Sequence, residues 1–225
     1  MKQKAEIVGK AGEDALTRGI LRGTVPLVAL AAAIGLLAGL AAPRGLIPDT
    51  ASRLLLAAIV GGVVANALTL RRILTAYFTG ARGERMTARL LEKLPQGWVV
   101  FHEVERYGAD HIAIGPGGIF CIETKCWQGQ VPDHNGTLLV DGKRPSRDPL
   151  EQVHRTARTI RQDLLNAHLP IPELEVEPLV CFVSGTLQGN PPNCVNGDHL
   201  LPRLLNAPGR LSAAQIQLLA DHFKQ

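Results

Sequence analysis

Ala109-Asp110-His111-Ile112-Ala113-Ile114-Gly115-Pro116-Gly117-Gly118-Ile119-Phe120-Cys121-Ile122-Glu123-Thr124-Lys125 is the stretch whose reading decides the fold. Two short apolar, β-branched runs flank a Gly/Pro cluster, the pattern of an antiparallel hairpin. Side chains alternate along a strand, so Ile119, Cys121, Glu123 and Lys125 share one face. A loop over Gly115 to Gly118 pairs Ile114 with Ile119 and Ile112 with Cys121, and it sets Asp110 opposite Glu123. Opposed residues have Cβ atoms about 5 Å apart, and like charges so placed destabilise a sheet. Two carboxylates there, with Lys125 beside them, call for a cation between the acids. The set suits metal-assisted phosphodiester hydrolysis with Mg²⁺ or Mn²⁺. Asp110, Glu123 and the Thr124 carbonyl offer oxygen ligands, and Lys125 offers a positive group near water or phosphate.

Outward from the hairpin, the pattern predicts an α/β domain. Gly83-Glu84 opens a helix that runs through Leu94, and Pro95-Gln96-Gly97 ends it. A strand follows over Trp98 to Val104. Gln128-Gly129 turns the chain, and Thr137 to Val140 forms a short strand before a turn at Asp141-Gly142. Asp148-Pro149 starts a helix that reaches about Ala167. Gln152 lies near its start, and Arg155, Arg158 and Arg161 lie along one face, as a solvated basic face or a phosphate-tracking one. Val176 to Ser184 fits a buried strand, Gln188 to Asn196 a loop, and Ser212 caps a last helix with Ile216, Leu219, Ala220 and Phe223 inward.

Before this domain the chain is strongly apolar. Thr24 to Ala42 holds 19 residues without a charge and Leu54 to Leu70 another 17, each run flanked by arginine. About 20 apolar residues span a bilayer, so the pair predicts a transmembrane hairpin with small-residue faces able to support self-association. A single span with an interfacial second run is one alternative, and a buried helical hairpin of a soluble protein is another, disfavoured because neither run carries a polar stripe. A cleaved signal peptide fits poorly, because the first run starts past residue 22 and a second run follows. Lys2, Lys4, Lys10, Arg18 and Arg22 precede the first run, and Arg71, Arg72, Arg82 and Arg85 follow the second. The positive-inside rule therefore expects both termini in the cytoplasm and a multi-pass protein of the inner or plasma membrane. The expected division is an N-terminal segment (1–22), the apolar hairpin (23–72), a connector (73–82), the main domain (83–190) and a C-terminal loop and helix packed on it (191–225).

The net charge is +4, which permits nucleic-acid binding without arguing for it, since juxtamembrane basic residues produce the same excess. The four cysteines, Cys121, Cys126, Cys181 and Cys194, lack metal-ligand spacing and read as reduced thiols.

Gly83-Glu84, Asp110-His111-Ile112 leading into Gly-Pro-Gly-Gly-Ile-Phe, Ile122-Glu123-Thr124-Lys125 with Gly129 beyond, and Pro149 with Gln152 occur in an order and spacing that resemble the NERD (nuclease-related) domain. The resemblance covers about residues 82–187 and extends to the PD-(D/E)xK nuclease superfamily. It implies a restriction-endonuclease-like mixed sheet flanked by helices, a nucleic-acid substrate and a site built from Glu84, Asp110, Glu123, Lys125 and Gln152. In that site Glu84 assists and Gln152 positions water or backbone. Cys126 departs from the pattern, which commonly has Asn after the lysine. Ala109 stands where the superfamily's name has proline. The alternative function is a catalytically silent module of the same fold, tethered to the membrane for binding or signalling.

Overall fold

The structure, a computed structural model, describes residues 4–12 and 49–225 except 135, 136, 141, 172 and 173, with a few isolated residues between 17 and 33. By backbone contacts the chain forms two units, residues 1–12 with 80–225 and residues 13–79.

The first unit is a mixed α/β fold around a six-stranded sheet. Its strands are β1 (Glu6–Val8), β2 (Val99–Val104), β3 (Ala109–Gly115), β4 (Gly118–Lys125), β7 (Val176–Phe182) and β9 (Cys194–Asn196), in that spatial order. Neighbours β2, β3 and β4 are antiparallel, while β1–β2, β4–β7 and β7–β9 are parallel. The parallel β4–β7 pair needs a crossover, which β5 (Gln130–His134), β6 (Thr137–Leu138) and helix α2 (Pro149–Asn166) supply. β5 also pairs with β6 and β8 (Thr186–Gln188) in a small second sheet.

The register of the β3–β4 hairpin matches the sequence reading. Ile114 pairs with Ile119 and Ile112 with Cys121. The turn is tighter than expected, because Gly115 pairs with Gly118 and leaves only Pro116-Gly117 to turn the chain. Gly115 is required for packing: a Cβ there would meet the Trp98 ring at 2.2 Å. The hairpin tip is tied down by Pro116, whose carbonyl accepts from the Arg210 and Leu211 N–H groups at 2.7 and 3.2 Å.

Strand alternation splits the core in two. One face carries Val99, Phe101, Ile112, Ile114, Cys121, Val180 and Phe182. These pack on Val153, Ala157, Ile160 and Leu164 of α2 and on Ile216, Leu219 and Phe223 of α4 (Ala213–Phe223). The other carries Val100, Ala113, Phe120, Ile122, Leu179 and Cys181, against Leu91, Leu94, Trp98, Leu200 and Leu204. Asp148 caps α2 as its sequence signature requires, accepting from the Leu150 and Glu151 N–H groups. Ser212 and Gln215 form a reciprocal capping box at α4.

Besides β5, which was not anticipated, and β9, which lies within the stretch 188–196 expected to be a loop, three features depart from the sequence reading. Helix α1 (Asp49–Leu91) is continuous, whereas Gly83-Glu84 was expected to open a new helix. No proline interrupts it, and one interior glycine costs a helix only about 1 kcal/mol. Gly83 marks a close approach instead: a Cβ there would sit 2.8 Å from Cys126 Cβ and 3.3 Å from Thr124 Cγ2. Second, the N-terminal segment contributes the edge strand β1, held where the Ala5 and Glu6 N–H groups donate to the Leu94 and Trp98 carbonyls. Third, the chain after residue 196 forms an additional helix, α3 (Gly197–Leu205).

Of the expected transmembrane hairpin, the first run (24–42) lies outside the described residues apart from isolated positions. The second run falls within α1. Among the described residues no helix is long and apolar enough to cross a membrane. In the second unit, the described part of α1 leaves Val64, Leu68 and Phe78 more than half exposed.

Candidate active site

The tight hairpin turn dictates the geometry of the site. Extending the β3–β4 register by one residue beyond His111↔Ile122 places Asp110 opposite Glu123. Glu123 is almost completely enclosed, only 5 % exposed, and Asp110 is partly buried. Lys125, two residues along the same face, brings its Nζ to 2.5 Å from Glu123 Oε1. The same Nζ donates to Gln152 Oε1 at 3.5 Å, which brings the start of α2 to the strand end. The Thr124 N–H donates to Asp110 Oδ2 at 2.8 Å, and the Thr124 hydroxyl, on the opposite face, bonds Thr87 Oγ1 of α1 at 2.9 Å.

Asp110 is the electrostatic centre of this arrangement. Burial pushes its carboxyl well above the usual carboxylate range, and the charges of Glu123 and Glu84 push it further. The Thr124 N–H and the Lys125 charge act in the opposite sense. Glu84 reaches the group because Gly83 lets α1 close on Thr124 and Cys126. The Cys121 thiol, one step along the same face from Glu123, is also raised, first by burial and then by the two acids. Perturbed titratable groups facing one another at a strand end mark a functional-site candidate.

The structure thus gathers all five polar residues singled out in the sequence. Asp110, Glu123 and Lys125 come from the hairpin, Gln152 joins through Lys125, and Glu84 acts through its charge on Asp110. Thr87 is an addition. It is wholly buried one helical turn after Glu84, and that i, i+3 spacing on α1 was its only sequence signal.

Among the described residues no group of three or more His, Cys, Asp and Glu side chains is arranged to hold a metal ion. A two-carboxylate site with a neighbouring backbone oxygen still suits Mg²⁺, which keeps several waters and uses one or two carboxylates plus substrate phosphate. The raised Asp110 fits this donor set, since a cation between the acids would relieve their mutual repulsion.

The family model described as "Nuclease-related domain" (NERD) matches residues 79–183. Residues 79–183 form a nuclease-related domain. The match takes in Glu84, Asp110, Glu123, Lys125 and Gln152 together, and it ends at Val183, just beyond β7. No curated protein and no solved structure matches the chain. The six-stranded mixed sheet flanked by helices is consistent with a nuclease-like fold.

Opposite this site, on the other side of β2 and β3, the NERD domain buries two histidines. His102 and His111 are paired across the strands with Nδ1 atoms 2.8 Å apart. Burial lowers both from the ordinary histidine range, and neither Nε2 has a hydrogen-bond partner among the described residues. Strand alternation places His111 on the face opposite Asp110, which keeps this pair apart from the carboxylates.

Proposed function

We propose that the NERD domain hydrolyses phosphodiester bonds of DNA or RNA with Mg²⁺ or Mn²⁺. The observation that carries this reading is Asp110 set opposite Glu123 with Lys125 beside them, the Asp110 carboxyl being raised by burial and then by the charges of Glu123 and Glu84, within the matched segment. Asp110, Glu123 and the Thr124 carbonyl would hold the cation. When bound, it would supply Lewis-acid stabilisation of the phosphate and a more acidic water. Lys125 balances negative charge at the scissile phosphate and orients the attacking water. Gln152 holds the Lys125 ammonium in place, and Glu84 assists Asp110 from α1.

The reading includes a membrane tether formed by the uncharged runs 24–42 and 54–70, with the NERD domain on the cytoplasmic side. The exposed Val64, Leu68 and Phe78 on α1 support an apolar neighbour for that helix. A C-terminal reporter active only outside the cytoplasm would overturn this orientation.

The activity is tested by incubating the chain with single- and double-stranded DNA and RNA, in Mg²⁺, in Mn²⁺ and in chelator. The expected result is metal-dependent cleavage that Asp110→Ala and Lys125→Ala each reduce at least a hundredfold, as losses of groups acting in the transition state do. No cleavage of any substrate under any condition would refute it. Cleavage that persists in both variants would place the activity elsewhere.

A further inference from the structure

The basic side chains beside the site are not used by the chemistry above. Gln152 anchors the start of α2 at Lys125. Arg155 and Arg158 follow at intervals of three residues, about 4.5 Å of helix axis each. Both are exposed, and neither makes an ion pair among the described residues. Arg147, immediately before the capping Asp148, is likewise exposed, with no ion pair among the described residues. The series stops at Arg161, whose Nη2 lies 3.5 Å from Glu175 Oε1 and whose Nε–H donates to the Leu174 carbonyl. Asp148 is occupied as the helix cap, which leaves Glu151 as the exposed acid on this stretch.

We infer that Arg147, Arg155 and Arg158 form a strip that grips the phosphate backbone of a nucleic-acid strand and leads it to the Asp110–Glu123 site. The inference rests on the nuclease reading and adds the path by which the strand arrives. Arginine suits the task, because its guanidinium stays charged and matches phosphate oxygens bidentately. The helix N-terminus does not supply the attraction, since Asp148 already fills its first donors. Backbone contacts carry no sequence information, so the strip predicts binding without sequence preference. A basic surface of this kind also attracts anionic lipid. Its start beside Gln152, on the helix that reaches Lys125, favours the nucleic-acid strand.

The test is binding of the full-length chain to a fluorescent single-stranded oligonucleotide of mixed sequence, in chelator, over a range of salt concentrations. Each lost phosphate contact on a single strand reduces the salt slope of log K by about 0.7. Arg155→Ala/Arg158→Ala is expected to make the slope shallower by about 1.4 and to weaken binding on the order of tenfold at 0.1 M salt. Glu151→Gln should tighten binding, and Arg161→Ala should leave it unchanged. Wild-type affinity and slope in Arg155→Ala/Arg158→Ala would overturn the strip. So would loss of binding to vesicles containing phosphatidylserine with oligonucleotide binding unaffected, which would assign the arginines to lipid. Cleavage in Mg²⁺ on the same proteins separates this inference from the activity. Strip-dependent binding without cleavage keeps the strip and removes the hydrolytic reading. Cleavage with strip-independent binding does the reverse. A chain that neither binds nor cleaves removes both.

Discussion

Replacing Asp110 by Asn should stabilise the metal-free protein while removing its activity. The amide oxygen of Asn keeps an acceptor for the Thr124 N–H, so the backbone contact at 2.8 Å survives. What disappears is a charge facing Glu123 across the hairpin and a second carboxylate on α1. Two like charges about 5 Å apart repel by about 3 kcal/mol at an effective dielectric of about 20. Lys125, 2.5 Å from Glu123, cancels part of that, leaving a net gain of about 1–2 kcal/mol for the variant. The sign follows from linkage. A carboxyl raised above its unfolded value contributes stability below the unfolded pKa, and that contribution is lost as pH rises through the folded pKa. At neutral pH the enclosed Asp110 carboxyl is therefore a cost that Asn does not carry. For a unit of this size 1–2 kcal/mol moves Tm upward by roughly 2–8 °C. The assay is thermal unfolding at pH 7.5 in chelator and in Mg²⁺. Asp110→Asn should melt higher than wild type in chelator, and Mg²⁺ should raise wild type alone. If Asp110→Asn melts lower than wild type in chelator, the electrostatic account of the site is wrong.

Two further predictions concern the buried histidine pair and the contact of α1 with the hairpin. His102 and His111 are buried with lowered pKa values, so the unfolded chain binds their protons first, and stability falls as pH drops below about 6.5. Each such histidine costs about 1.4 kcal/mol per pH unit until its folded pKa is reached. Denaturant midpoints between pH 7.5 and 5, measured in Asp110→Asn to remove the opposing contribution of that acid, should decline, and a flat profile would refute the pairing. Gly83→Ala puts a Cβ 2.8 Å from Cys126 Cβ and so pushes α1, with Glu84, away from the hairpin. It should cost about 1–3 kcal/mol and lower cleavage, while Cys126→Gly in the same protein restores both; failure of that rescue would show that the contact does not set the position of Glu84.

The hairpin was legible because two signals agreed. Period-two alternation fixed the faces, and the Pro116-Gly117 turn allowed one register that pairs Ile114 with Ile119. The helix starts at Asp148 and Ser212 were legible because capping is local chemistry. Long-range contacts were not legible. Gly83 looked like a helix opening until the nearness of Cys126 showed why a side chain is excluded there. The three residues of β1 carry no pattern long enough to read, and they become a strand only because β2 offers an edge. Pro202 inside α3 masked that helix despite Asp198 in its first turn and Arg203 in its last; Asn196 makes no side-chain cap bond, and Leu200 and Leu204 hold the helix in the core. Arg161 appeared in sequence as one of three equivalent arginines, and Glu175 sets it apart. Within the site, strand alternation alone singled out Asp110, Glu123 and Lys125, whereas Glu84 and Gln152 stood out in sequence only through the NERD resemblance.

The most direct test is calorimetric titration of the chain with Mg²⁺ and with Mn²⁺, comparing wild type, Asp110→Asn and Glu123→Gln. The account predicts one ion bound per chain in wild type and its loss in both variants, with folding unchanged by circular dichroism. No binding in wild type, or binding that survives both substitutions, would contradict it.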